Sequence, residues 1–400
     1  MGVDNACAGR NVLFLNWRDT RNPEGGGSEV YVERVAAELV ARGHRVTIFC
    51  AAHRAAPAEE TNADGVRLVR RGGRHTVYAW AALCYLAGIV GLGPLSARRS
   101  GRRPQVLVDV CNGLPFLSPL WTRRPVLNLV HHVHREQWPV VLGRWAARFG
   151  WWVESWLAVR VYRNCRYVTV SEATRTELAT LGVTTERVTV VHNGTPELPR
   201  TDTPRASYPL LVALGRLVPH KRVEVALKAV AELADELPGL RLVVAGQGWW
   251  EPHLRQVADE LGIADRVEFR GFVTEEEKAS LLAAAWVALT PSLKEGWGLT
   301  IVEAGAAGTP TVAFRDAGGV AEAMVDGVSG LLAEDVDDYV AKVRQLLCDD
   351  TARERMGAAA REHAASFTWP AAGERFAALV TAGAVARAGE RPVEACYLVP

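Results

Sequence analysis

Short runs rich in valine, isoleucine and leucine alternate along this chain with amphipathic stretches, the pattern of strands buried on both faces beneath covering helices. In the first half, the runs at 11–16, 45–50, 106–110, 126–130, 167–170 and 187–191 predict strands. Between the first two, Val32, Val35, Ala36, Leu39 and Val40 recur at helical spacing. Gly43 stands where a helix C-terminus calls for a left-handed residue. The alternation breaks at 195–207, where Pro196, Pro199 and Pro204 interrupt a stretch without apolar periodicity and predict a linker. It resumes with runs at 210–214, 241–245, 267–269, 286–290 and 310–314, and beyond 332 the pattern is mostly helical, with no fixed-period repeat. The expected fold class is α/β: two doubly wound, Rossmann-like domains at 1–196 and 207–366, with one cleft where their strand ends face each other.

Composition narrows the function classes. Four hundred residues exceed what one hydrophobic core usually serves. Lys plus Arg number 46 against 45 Asp plus Glu, so no nucleic-acid partner is expected and any anion site is local. Seven cysteines without paired spacing point to a reducing compartment and no structural zinc. Residues 1–10 lack the basic start and apolar stretch of an export signal, so a cytoplasmic location is expected. The segment 77–96 is free of charge for the length of a membrane span. Gly88, Gly91, Gly93 and Pro94 crowd its second half, so a buried helix plus loop is expected, with membrane-surface contact as the alternative.

Four places carry candidate chemistry. The loop 17–27 ends in Gly25, Gly26 and Gly27 before a predicted helix, where exposed N–H groups and the helix N-terminus suit a phosphate or a sugar hydroxyl; a surface turn is the bland reading. Gly215, Arg216 and Lys221 follow a strand and lead into a helix, an arrangement suited to a diphosphate: Arg216 forks onto two oxygens while Lys221 is a point charge. Solvated charges are the alternative. Glu295 and Glu303 lie in a glycine-rich segment. The first sits in a loop that could accept sugar hydroxyls, the second on the next helix that could hold two ribose hydroxyls. His131, His132 and His134 follow the strand at 126–130, where hydrogen bonding is expected rather than zinc binding. Gly246 and Gly248 resemble the start of a dinucleotide fingerprint, but Glu251 stands where its third glycine belongs. The acidic pairs Asp337–Asp338 and Asp349–Asp350 are expected to be solvated faces, and no metal site is expected.

Taken together, these motifs resemble those of the large retaining glycosyltransferase family 4, whose two-Rossmann-domain architecture is known as GT-B. The likeness spans about 16–369. It includes Gly26 through Glu29, the run Arg-Gly-His-Arg-Val at 42–46, Val-Ser-Glu at 170–172, Val-His-Asn-Gly at 191–194, the 215–221 loop and the two-glutamate segment. The resemblance implies a retaining, metal-independent hexosyltransferase without a cofactor, using a nucleoside diphosphate sugar as co-substrate, UDP-sugar favoured and GDP-sugar the second choice. It implies that Glu303 binds the ribose. Glu295 with the backbone of Gly296, Trp297, Gly298 and Leu299 would hold the donor sugar, and Arg216 and Lys221, beside Gly215, would clasp the diphosphate. The backbone near Phe272 and Val273 would meet the base, His131 (or its neighbour His132) would lie beside the donor sugar, and Gly26 and Gly27 would border donor and acceptor. A helix at 367–386 would cross back to the first domain.

Two other readings compete: a catalytically silent nucleotide-sugar binding protein, and a sugar phosphorylase or epimerase of the same architecture. The acceptor stays open between a small molecule, such as a natural-product intermediate, and a lipid-linked acceptor or glycolipid. The stretch 132–163 interleaves five tryptophans with five arginines. It suits peripheral contact with anionic lipid heads at the inner membrane face, stacking on a flat acceptor, or plain core and rim.

Overall fold

The computed structural model describes residues 9–382, so the expectations that fall on 1–8 and 383–386 lie outside the described residues. The first sheet takes β1 (Asn11–Leu15), β2 (Arg45–Cys50), β3 (Glu59–Thr61), β4 (Arg67–Arg70), β5 (Val106–Cys111), β6 (Val126–Val130), β7 (Arg166–Thr169) and β8 (Val188–Val190). Their order is β3-β4-β2-β1-β5-β6-β7-β8. All neighbours run parallel except the β3–β4 hairpin. The second sheet takes β9 (Leu210–Leu214), β10 (Arg241–Ala245), β11 (Val267–Gly271), β12 (Val287–Thr290), β13 (Thr311–Phe314) and β14 (Gly330–Ala333). It is parallel throughout, in the order β11-β10-β9-β12-β13-β14. These are two Rossmann-like domains of the GT-B type.

Each sheet reverses its winding once, between β1 and β5 and between β9 and β12. At such a switch point adjacent connections leave in opposite directions and open a crevice at the strand ends. The loops after β1, β5, β9 and β12 therefore supply the walls of the cleft between the domains.

The β3–β4 hairpin escapes the hydrophobic pattern because charge pairs hold it. Arg70, wholly buried, donates to Asp19 Oδ2 and Glu60 Oε1, both at 2.5 Å. The segment 77–96 forms a helix, Val77–Ile89, and a loop. Its expected burial needs correction. Only Val77, Ala81, Cys84, Tyr85 and Gly88 of the helix face the core, whereas Trp80, Leu83, Leu86 and Ile89 are exposed. No helix among the described residues is long and apolar enough to cross a membrane.

The chain crosses between domains twice, side by side. Thr195 donates from its backbone to Phe367 O (2.9 Å) and from its hydroxyl to Ala364 O (2.6 Å). The proline-rich 195–207 stretch then runs along the second domain as a strap. Leu198 and Ala206 pack on that domain's core, and Arg205 donates to Gly308 O and Thr309 Oγ1. Backbone and arginine contacts, not an apolar face, fix it, which is why no periodicity announces them. On the return, the helix Trp369–Ala382 lies on the helix Gly27–Ala41, and Phe376 stacks on Phe14 with ring centres 5.8 Å apart.

Candidate functional site

The second-domain wall begins where β9 ends. Gly215 has φ +142°, and the neighbouring loop passes so close that a Cβ on Gly246 would sit 1.8 Å from Gly215 O. Only glycines allow the two strand-end loops to touch. Gly246, which in the sequence reads as part of a broken dinucleotide fingerprint, thus belongs to the cleft, together with Gln247. Arg216 follows, and among the described residues its guanidinium has no carboxylate within ion-pair distance. Burial and the facing Arg18 both press its pKa downward, so an anion entering here would relieve an uncompensated charge.

The two glutamates are each held by a lysine. Lys221 pairs with Glu295, whose own backbone N–H is tied to Ala317 O at 2.9 Å. Burial works to raise the Glu295 carboxyl, yet the Lys221 ammonium and bonds from Lys221 and Ser292 hold it below the usual carboxylate range. Glu303 lies on the second turn of Leu299–Ala306, a helix opened by Gly298 at φ +110°. Burial lifts its pKa although Lys278 Nζ donates to Oε1 at 2.7 Å. Nothing in the sequence singles out Lys278. It lies on a separate helix, Glu275–Ala284, and only the tertiary fold brings the pair together. Phe272 is exposed at the cleft edge, whereas the Val273 side chain turns into the domain core.

The first-domain wall is built from few charges. Gly26 caps the helix Gly27–Ala41 and donates its N–H to Glu29 Oε2 at 2.7 Å; buried Glu29 in turn pairs with Arg18 at 2.9 Å. The geometry of Arg18 Nε toward Glu29 satisfies ion-pair distance but not hydrogen-bond alignment. His131 stands at the end of β6, edge-on to Tyr31, with its Nε2 buried and unpartnered. Burial, aided by His134, lowers its pKa to about 3, so the ring is neutral. His132 is engaged by Gln137 Oε1 at 3.1 Å, and His134 by Glu154 and Asn112 at 2.9 and 3.2 Å. His132 and His134 thus have separate partners, and the His131 Nε2 has none among the described residues. Among the described residues no group of three His, Cys, Asp or Glu side chains is placed to hold a metal ion.

Between the walls lies a cleft of about 740 Å³. It gathers Gly26, Gly27, His131, His132, Gly215, Arg216, Lys221, Phe272, Glu295, Gly296, Trp297, Gly298 and Leu299. Three buried polar atoms of its lining have no partner: His131 Nε2, Asn193 Oδ1 and Trp297 Nε1. Such atoms cost about 1–3 kcal/mol each if left unpaired; a hydroxyl-rich ligand would satisfy His131 Nε2 and Asn193 Oδ1, whereas the Trp297 ring packs against His192 and Phe367 in the core. Asn193 is visible in the sequence only as part of a matched phrase; its buried, unpaired oxygen is a tertiary fact.

The domains meet closely around this cleft. An added Cβ at Gly296 would lie 2.6 Å from His131 O, and one at Gly27 would lie 2.9 Å from Leu299 Cδ1. Lys294 pairs with Glu177 across the interface. Glu322 accepts the N–H groups of Glu172 (2.8 Å) and Ala173 (2.9 Å), capping a first-domain helix from the second domain.

Comparison with known proteins bears on the family and the fold. Residues 26–194 match the glycosyl transferase 4-like domain, and residues 196–363 match the glycosyl transferases group 1 model. A D-inositol 3-phosphate glycosyltransferase of Corynebacterium diphtheriae is 41% identical over 175 residues, 42% of this chain and 41% of that protein. Its counterpart in Streptomyces avermitilis is 41% identical over 179 residues, 42% of this chain and 38% of that protein. The chain thus spans about two-fifths of the length of the curated relatives it matches. Among solved structures, sucrose-phosphate synthase from Thermosynechococcus elongatus aligns with a TM-score of 0.77 at 19% identity, covering 93% of this chain and 98% of that one. HepE of Anabaena, solved with UDP and glucose, aligns at 0.70 and 18% identity, covering 93% and 100%. These likenesses concern the fold. With one model on each side of the interdomain crossing, and the two-sheet architecture between them, the chain belongs to the GT-B glycosyltransferases of family 4.

Proposed function

We propose that this protein transfers a hexose-type sugar from a nucleoside diphosphate sugar to an acceptor hydroxyl with retention of anomeric configuration, without a metal ion or other cofactor. The observation that carries the reading is the second-domain wall: two buried glutamates, each beside a lysine, and, at the end of β9, Arg216 without an ion-pair partner among the described residues. Glu303 accepts the ribose hydroxyls, Glu295 accepts hydroxyls of the sugar, and Arg216 with Lys221 receives the diphosphate. Gly246, Gln247 and Phe272 border the place left for the base. UDP is the favoured nucleotide, in line with its presence in the HepE structure.

In the transfer, the bond from the anomeric carbon to the diphosphate oxygen breaks, its electrons staying on the oxygen beside Arg216 and Lys221. The acceptor oxygen bonds to the same face of that carbon, and its proton passes to the departing phosphate oxygen. Preorganised cations at the point where negative charge develops lower the barrier. Neutral His131 and Asn193 serve as hydrogen-bond partners for sugar hydroxyls, and domain contact at Gly296 and Gly27 keeps water out.

The acceptor is a small hydroxylated molecule or a lipid-linked one. D-inositol 3-phosphate, named for the relatives, belongs in the first panel. The test is thermal stabilisation by UDP, GDP, dTDP and ADP and their sugars in chelator, because a ligand selective for the folded state raises the melting temperature. Stabilisation by UDP that disappears in Glu303→Ala is the expected result. A folded protein that responds to none of them contradicts the proposal.

A further inference from the structure

Two segments of the first domain turn apolar stripes to solvent on one side of its sheet. The helix Val77–Ile89 packs Val77, Ala81 and Tyr85 into the core cluster that contains Leu13 and Leu107. It leaves Trp80, Leu83, Leu86 and Ile89 outside, and the stripe continues through Val90 and Leu92, 72% and 65% exposed. Farther along, Trp145, Phe149, Trp152 and Trp156 recur at helical spacing and are exposed, Trp145 to 80%, while Ala158 and Tyr162 enter the same cluster. Both segments therefore back onto one sheet face. Contiguous exposed apolar surface of this kind marks a partner site.

The charge around the stripes says which partner. Residues 65–171 contain sixteen arginines and three carboxylates, in a chain whose net charge is only +1; Arg67, Arg70, Arg71, Arg74 and Arg99 are paired with Glu59, Glu60, Asp19 or Glu24 outside that stretch. Asp109 and Glu154 are buried, so Glu136 is the exposed carboxylate of the three. Among the described residues, Arg102, Arg103, Arg123 and Arg124 beside the first stripe, and Arg144 and Arg148 within the second, have no carboxylate partner. A groove of about 450 Å³ joins the two features: Tyr85, Leu86, Ile89 and Trp121 form its apolar part, and Arg103, Arg123 and Arg124 its cationic part. Arg103 is anchored there by donating to Ile89 O at 2.7 Å. Arg160 lies over Trp156 at 4.1 Å, an aromatic and cationic pairing suited to the polar boundary of a bilayer.

We propose that this face docks on an anionic lipid bilayer, the aliphatic and tryptophan stripes entering the headgroup layer and the Arg103–Arg123–Arg124 groove receiving a lipid phosphate. Leu83, Leu86, Ile89 and Val90 offer nothing to a phosphodiester backbone or a stacked base, which sets lipid above nucleic acid as the occupant. The inference is independent of the donor site, because binding is read without turnover.

The experiment is flotation of the full chain with phosphatidylcholine vesicles, alone or containing about a third phosphatidylglycerol. Binding to the anionic vesicles only is expected, weakened but not abolished by salt. Leu83→Glu/Leu86→Glu and, separately, Arg123→Gln/Arg124→Gln should each lower the partition coefficient about tenfold or more, with melting temperature and UDP stabilisation unchanged. No partition into anionic vesicles at low salt overturns the proposal. So does binding that survives both double variants, or a surface that binds single-stranded RNA and retains it in Leu83→Glu/Leu86→Glu while ignoring vesicles.

Discussion

The two walls of the cleft solve different problems. The second-domain wall concentrates charge: Arg216 has no ion-pair partner among the described residues, Glu295 is buried beside Lys221, and Lys278 of the lining holds Glu303, which is buried outside the lining. The first-domain wall facing it presents neutral His131, the Asn193 amide and a glycine-capped helix start; behind it the Arg18–Glu29 pair is turned inward and nearly inaccessible, while Arg21 at the rim is paired with Glu60. A diphosphate needs fixed cations wherever it binds, so that chemistry leaves a clear signature. Hydroxyl groups need only hydrogen-bond partners, which many side chains supply, and an acceptor pocket therefore carries a weaker one.

The largest test of this asymmetry is Arg216→Ala. It should lower kcat by about 10²- to 10³-fold, since a donor aimed at developing charge is lost, while His131→Ala should cost less. Equal losses in steady-state kinetics would erase the distinction between the walls. Next comes Gly296→Ala, whose Cβ would meet His131 O at 2.6 Å. Forcing the walls apart by a fraction of an ångström should reduce kcat/KM by about a hundredfold or less, with the second-domain wall still able to bind UDP.

The histidines permit a smaller, pH-dependent test. Burial holds His131 near 3 and His220 near 4, below their unfolded value. Between those values and about 6.5, the unfolded chain binds protons that the folded one refuses, so stability falls as pH falls through that window. Melting temperature measured from pH 7 to 4 should drop, and less steeply in His131→Asn; an unchanged slope would show that His131 is not held neutral. The smallest effect is expected for Glu322→Ala. Removing a cap on the helix Glu172–Thr180 should cost about 1 kcal/mol of stability in denaturant unfolding and loosen the contact between the walls.

The second-domain wall is partly legible in the amino-acid order, because Arg216, Lys221 and Glu295 stand in loops that follow predicted strands, where α/β sheets bind ligands, and Glu303 stands on the helix that opens from the last of these loops. Lys278 is not legible there, since nothing in a helix rich in acids and alanines marks one lysine as the partner of a glutamate 25 residues away. The β3–β4 hairpin hides for a related reason: Arg70, Glu60 and Asp19 hold it by buried ion pairs, and hydrophobic periodicity is blind to those. The helix Val77–Ile89 reads as buried because every residue in it is uncharged. Composition cannot say that Trp80 and Leu83 face outward, since that depends on whether another element packs over them, and among the described residues none does.

The sequence by itself determined the alternation of strands and helices, the two sheets and the family, because backbone hydrogen bonding and burial impose periods of two and 3.6 residues that side-chain order must obey. Only the tertiary structure decided which lysine neutralises which glutamate, why Gly246 and Gly296 must be glycine, and which of three adjacent histidines is left with an unpaired nitrogen. Those facts depend on atoms brought together from distant parts of the chain to within a few ångströms, and no local period records such distances.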